Sequence, residues 1–232
     1  MRGSNPVIGN QVLDGVGWIA ASFVNCYTVQ DGPQTYLIDT GLSRRAGPIE
    51  RAIRNGGASP DQITKILLTH HHLDHMGGAA YLIQSTRASL ECHEQDALYV
   101  DGRAKAPMPF LMRLFARVHP APVAVMLKEG DRVGPLSVLH VPGHTPGEVA
   151  FYDSGRQILF SGDSVVESRG RLTLPAPRIA SNLEQAIGSL SRLRGLPVEC
   201  LLPGHGRPVR RDVAGLLDDL IRRAPKEYLK RP

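Results

Sequence analysis

The sequence predicts an α/β protein of layered sheets and helices, and three observations carry that prediction. Short β-favouring runs alternate with helical periodicities along the 232 residues, the pattern of sheets covered by helices. The runs end in turns rich in Gly, Pro, Asp and His, not in long polar linkers. No low-complexity stretch or composition break divides the chain, so residues 1–232 are expected to form one domain. Composition fits: 42% of residues are hydrophobic and 21% charged, ordinary values for a globular protein.

In chain order, 16–24 reads as a first strand; Gly17 and Ser22 interrupt it, and it lacks the compact basic lead-in of a secretory signal. Residues 23–29 and 35–38 favour strands, and the Asp31-Gly32 pair between them predicts a hairpin. The second run ends in Asp39-Thr40-Gly41. Residues 44–55 carry Ile49, Ala52 and Ile53 at helical spacing and stop at Gly56-Gly57, which predicts a helix. A strand at 65–69, a helix at 79–84, a strand at 88–92 and a helix at 94–100 follow. Over 101–125, prolines at 107, 109, 120 and 122 flank Phe110, Leu111, Leu114, Phe115 and Val118 at roughly helical spacing. That is a lid-like insertion, placed either over a site or against the body. Strands are then expected at 136–141, 148–152, 157–161 and 200–202, and helices at 182–193 and 212–223.

Charge and cysteine usage narrow the function. Lys and Arg number 27 against 22 Asp and Glu. This surplus is modest, thickest over 103–117 and 207–231, and reads as solvated helix faces, so no nucleic-acid partner is expected. No apolar run approaches membrane-spanning length. Cys26, Cys92 and Cys200 are odd in number and form no Cys-x-x-Cys, which reads as structural thiols in a reducing, cytoplasmic protein.

The densest chemistry lies in 67–78, LLTHHHLDHMGG. His70, His72, Asp74 and His75 stand in the order His-x-His-x-Asp-His. Residues two apart on extended chain share a face, so the strand through 65–69 delivers His70 and His72 to one side and His71 to the other. Asp74 and His75 follow in the turn before Gly77-Gly78. Imidazole with carboxylate suits zinc, iron or manganese. Two neighbouring sites arise if His70 and His72 serve one ion and Asp74 and His75 the other. Donors packed this tightly after an apolar strand are costly to bury unless something binds them. Three later strand ends each offer one more donor among glycines and prolines: His144, Asp163 and His205. His140, in an apolar run, reads as a hydrogen-bonded core histidine, and His71 as a packing or supporting group.

Taken together, Asp39-Thr40-Gly41, Thr69 to His75, Gly143-His144-Thr145-Pro146-Gly147, Gly162-Asp163-Ser164 and Pro203-Gly204-His205-Gly206 resemble the motifs of the metallo-β-lactamase superfamily, in the family's order. The resemblance runs from about Asn25 to His205. It implies a four-layer αββα sandwich binding two divalent metal ions, with zinc expected and iron or manganese as alternatives. His70, His72 and His144 would hold the first ion, Asp74, His75 and His205 the second, and Asp163 would bridge them. The match to Asp39 implies a carboxylate that orients loops or a ligand, or one that is simply structural. Two cations sharing a water lower its pKa towards neutrality. Asp74 is the residue expected to orient that nucleophile and carry its proton.

Within the superfamily the pattern most resembles small glyoxalase II-like thioesterases, which implies a small-molecule acyl substrate, a thioester or an ester. Two features depart from that group. Only 27 residues (206 to 232) follow His205, too few for the helical domain that helps larger members grip glutathione. Glu148 stands after Pro146-Gly147, where a small polar residue is common. An acyl-homoserine lactonase uses the same ligand set and is the alternative, although such enzymes carry a tyrosine a few residues after the bridging aspartate and Ser164-Val165-Val166-Glu167 holds none. A mononuclear iron persulfide dioxygenase and a phosphodiesterase or nuclease stand further back. Arg169, Arg171 and Arg178 are placed to reach an anionic substrate, though exposed loop arginines are the plainer reading.

Overall fold

Among the described residues seven strands make the sheet of the N-terminal half, and their order along the chain is also their order in space. A computed structural model describes residues 6–42, 46–105 and 119–229, and the chain divides into two units, Met1–Met126 and Leu127–Pro232. In the first unit β1 (Asn10–Leu13), β2 (Val16–Ala21), β3 (Val24–Asp31) and β4 (Gln34–Ile38) form an antiparallel meander. The expected hairpin lies between β3 and β4, where Asp31 pairs with Gln34 across Gly32-Pro33. From β4 the sheet turns parallel through β5 (Ile63–Leu67) and β6 (Ser89–His93), with β7 (Val125–Leu127) at the edge. Parallel neighbours need a crossover. Helix α1 (Gly47–Asn55) links β4 to β5; the one-turn α2 (Leu73–Met76) and α3 (Ala79–Thr86) link β5 to β6. Helix α4 (Glu94–Val100) follows β6. Ile49 and Ile53 of α1 and Leu82 of α3 bury themselves with Leu37, Ile66 and Leu90 of the sheet, each such side chain contributing on the order of 1.5–3 kcal/mol.

The second unit holds a five-stranded sheet in the order β14-β11-β10-β9-β8. Its members are β8 (Arg132–Val133), β9 (Leu136–His140), β10 (Val149–Asp153), β11 (Ile158–Gly162) and β14 (Cys200–Pro203). Only the β11–β14 pair is parallel. A separate ribbon pairs β12 (Val166–Ser168) with β13 (Arg171–Thr173). Every residue of β10 and β11 is buried, as expected of central strands covered on both faces. Helix α5 (Leu183–Ser189), the 3₁₀ turn Leu190–Leu193 and helix α6 (Val213–Tyr228) supply Leu190, Leu193, Leu217 and Leu220 to a core with Ala150, Leu159 and Leu201. Each unit is thus sheet plus helices, as the α/β expectation requires.

The differences from expectation lie at the ends of elements. The helix expected over 182–193 is an α-helix only to Ser189 and tightens into a 3₁₀ turn, a common way to close a last turn. The final helix runs through Pro225 to Tyr228 instead of stopping at 223. Proline removes one helical hydrogen bond, but tertiary contacts hold the extra turn: the Leu174 N–H donates to the Tyr228 hydroxyl at 3.2 Å, and the Arg223 guanidinium donates to the Leu172 carbonyl. Strands β1, β7, β8, β12 and β13 were not expected; they are two to four residues long. Most of the lid-like insertion, residues 106–118, lies outside the described residues. All three cysteines are buried and free, in keeping with structural thiols. Burial, and then the nearby Asp39 carboxylate, pushes the Cys26 thiol up. Among the described residues no helix is long and apolar enough to cross a membrane.

Candidate metal centre

In the first unit the donors hang from the end of β5. The ladder stops at Leu67, although the Leu68 N–H still donates to Glu91 O at 2.9 Å. Residues 69–72 continue without a helix, and His72, with φ −65° and ψ 147°, sits just before α2. Asp74 and His75 are therefore on a single helical turn rather than in the open turn expected. The ring centroids of His70 and His72 are 4.8 Å apart, and those of His70 and His75 are 4.0 Å apart. His75 Nε2 lies 3.8 Å from Asp74 Oδ2. All four expected donors of this unit come together, with His70 and His75 buried and His72 and Asp74 half-buried.

Asp39 aims two of the rings. It follows β4 at φ 59°, a left-handed conformation that aspartate tolerates better than most residues. Its Oδ1 accepts the Thr69 N–H at 2.8 Å, and its Oδ2 accepts the Thr69 hydroxyl at 2.8 Å. Oδ2 also lies 2.8 Å from His75 Nδ1. The Thr69 hydroxyl has one proton and gives it to Asp39, so its oxygen accepts from His70 Nδ1, 3.1 Å away. Both imidazoles then carry N–H at Nδ1 and a lone pair at Nε2, the carboxylate–histidine arrangement of metal-ligating histidines. Thr40 completes the grip: its N–H and its hydroxyl each donate to His75 O at 2.7 Å. Gly77 admits this approach, because a Cβ there would stand 2.6 Å from the carbonyl oxygens of Leu42 and Leu73.

His71 faces away from its neighbours, as the alternation requires. It stacks on Tyr99 with centroids 4.4 Å apart, and both its Nδ1 and its backbone nitrogen lie 2.9 Å from Asp96 Oδ2. Asp96 is buried in the first turn of α4. Nothing in the sequence marks its role beyond an acidic residue near a helix start.

In the second unit the donors come from three separate strand ends. His144 sits in the loop between β9 and β10, Asp163 just after β11, and His205 just after β14. Asp163 Oδ2 lies 3.4 Å from His144 Nε2 and 3.4 Å from His205 Nε2. That is too long for a good hydrogen bond. It matches the separation of two ligand atoms on one tetrahedral cation, roughly 3.3–3.6 Å for bonds of about 2.0–2.2 Å. The residues present therefore fit a divalent metal. Each loop is tied down. Ser181 and Asn182, ahead of α5, donate N–H groups to His144 O at 2.9 Å and Gly143 O at 2.8 Å. His140 is hydrogen-bonded as expected, its Nε2 lying 2.9 Å from Pro146 O. Glu167 donates its N–H to His205 O at 3.0 Å and accepts the Arg207 N–H at 2.7 Å. Arg169, Arg171 and Arg178 are exposed, the plainer of their two readings.

The profile described as the metallo-beta-lactamase superfamily matches residues 19–205. The acyl-coenzyme A thioesterase MBLAC2 of Bos taurus is 32% identical over 228 residues, covering 83% of this chain and 78% of that protein. A hydroxyacylglutathione hydrolase of Cereibacter sphaeroides is 35% identical over 166 residues, covering 69% of this chain and 54% of its own length. Among solved structures, TTHA1623 in a di-iron-bound form is 33% identical, with a TM-score of 0.65 over 83% of this chain and 91% of that one.

Proposed function

The chain belongs to the metallo-beta-lactamase superfamily, as a metallo-hydrolase, and from that premise we propose that it hydrolyses an acyl thioester with the help of two divalent cations. In this reading His70, His72 and His144 hold one ion, Asp74, His75 and His205 hold the other, and Asp163 contributes to both. The observation that supports it best is the single oxygen of Asp163 standing 3.4 Å from two imidazole nitrogens. When bound, the ions supply an acidified water and polarisation of the acyl carbonyl. The chain's own groups do the rest. Asp39 fixes the Nε2 lone pairs of His70 and His75, and the half-buried Asp74 takes and returns the proton of the attacking water.

The proposed substrate is a small-molecule thioester, with coenzyme A thioesters placed ahead of hydroxyacyl-glutathione. The chain matches 78% of the coenzyme A thioesterase but 54% of the glutathione-thioester hydrolase. The metals are zinc or iron, the latter because the 33% identical relative is described in a di-iron form.

Elemental analysis of purified protein, followed by a panel of coenzyme A thioesters, hydroxyacyl-glutathione, lactones and phosphodiesters, tests the proposal. The expected result is close to two equivalents of metal and thioester turnover abolished by chelation. His72→Ala should lose metal and fall by more than about 100-fold in activity, beyond the loss typical of supporting groups. Turnover of lactones without thioesters, or full metal content in His72→Ala, would overturn the reading.

A further inference from the structure

Glu148 stands at the foot of the His144 loop with none of its surface exposed. Its main chain closes that loop: the Val141 N–H donates to Glu148 O at 2.9 Å, and the Glu148 N–H points to Thr145 O at 3.5 Å. Its side chain reaches the next ligand-bearing turn, where Oε1 accepts the N–H of Asp163 at 2.8 Å and that of Ser164 at 3.1 Å. One residue is thus fastened to both turns whose donors, His144 Nε2 and Asp163 Oδ2, lie 3.4 Å apart.

Resting on the reading of Asp163 as a metal ligand, we infer that Glu148 is a positioning residue that sets the Asp163 carboxylate against His144, not a group that meets the substrate. The turn after β11 leaves the buried Asp163 N–H in need of an acceptor, while the Ser164 N–H is shared between Ser161 O and Glu148 Oε1, each at 3.1 Å; an ionised carboxylate oxygen is the strongest acceptor a side chain offers them. The Ser164 hydroxyl, donating to Ser161 O at 2.7 Å, closes the same turn from within. His140 clips the far side of the His144 loop through Pro146 O, so that loop is fixed at both ends and Glu148 transmits its position to Asp163. A substrate-facing role is excluded by burial: none of the residue is exposed, and Oε1 is spent on main-chain N–H groups.

Chelator-competition titration of zinc binding in the wild type and in Glu148→Ala, Glu148→Asp and Glu148→Gln tests this, alongside amide hydrogen exchange at Asp163 and Ser164. Glu148→Asp keeps the charge but stops one methylene short of the two N–H groups; Glu148→Gln keeps the acceptor oxygen without the charge. Glu148→Ala and Glu148→Asp are expected to bind zinc about 10–100-fold more weakly, with faster exchange at both amides, while Glu148→Gln loses less than either. If Glu148→Ala does not fold, Glu148→Asp decides. Wild-type affinity and unchanged exchange in Glu148→Asp, or Glu148→Gln as weak as Glu148→Asp, would overturn the inference alone. A wild type that binds no metal would overturn it together with the function proposed above.

Discussion

Between His70 and His75 four donors follow one another along a single short run, whereas His144, Asp163 and His205 stand 19 and 42 residues apart. The first array is set by local backbone: an extended stretch, then one turn of helix, gives the spacing of its rings. What it needs from elsewhere is orientation, and Asp39 supplies it. The second array has no local order of its own. Each donor rides a separate loop, and its place depends on how that loop is tied: to α5 through Gly143, to Glu148 and His140, and to Glu167. A contiguous set should therefore fail through its chemistry, and a dispersed set through its packing.

The largest expected effect breaks the dispersed set at Gly143. Its φ of 136° and the 2.1 Å between an added Cβ and the Ala186 nitrogen leave no room for a side chain. Gly143→Ala should cost about 3 kcal/mol or more in denaturant unfolding of the metal-free protein. Gly41→Ala, where a Cβ would meet Ala21 Cβ at 3.0 Å and Cys26 Sγ at 3.8 Å at a φ of 75°, should cost about 1–2 kcal/mol. Equal losses at the two glycines would erase the contrast. Next comes Asp39→Asn, which leaves the contiguous run in place but cannot accept from Thr69 and His75 as the carboxylate does. Zinc affinity should fall about 10–100-fold with little change in unfolding free energy; a large stability loss with intact affinity would make Asp39 structural after all.

The smallest effect concerns the three buried thiols, two in the first unit and one in the second. Burial pushes the Cys200 thiol up to about 11 and holds those of Cys26 and Cys92 above their ordinary range. A thiol whose folded pKa is raised stays protonated in the folded chain after the unfolded chain has begun to ionise. Its contribution to stability is thus whole below the unfolded value, near 8.5, and is lost as pH rises towards the folded one. Stability should decline from about pH 8.5 upward, and iodoacetamide should not label the folded protein at pH 8. Fast labelling there would place a thiol at the surface.

Much of this was legible because it is local. The hairpin at Asp31-Gly32, the helix Glu94–Val100 and the opposite facing of His71 follow from turn chemistry and from periods of 2 and 3.6. The α/β class followed from strands alternating with helices, and the superfamily from the order of the motifs. The roles of Asp96 and Glu148 were not legible, because their partners are main-chain N–H groups 25, 15 and 16 positions away and a peptide N–H carries no sequence signature. The helix through Pro225 was missed for a similar reason: its last turn is secured by residues 51 and 54 positions earlier.

By itself, then, the sequence determined which side chains can donate to a cation and that each follows a strand, since strand period and turn residues are properties of neighbouring positions. Tertiary structure decided which nitrogen of His70 and His75 is offered and how Asp163 is held against His144 and His205. Those outcomes depend on hydrogen bonds that form only when residues far apart in the chain are brought within about 3 Å, a distance that no one-dimensional pattern encodes.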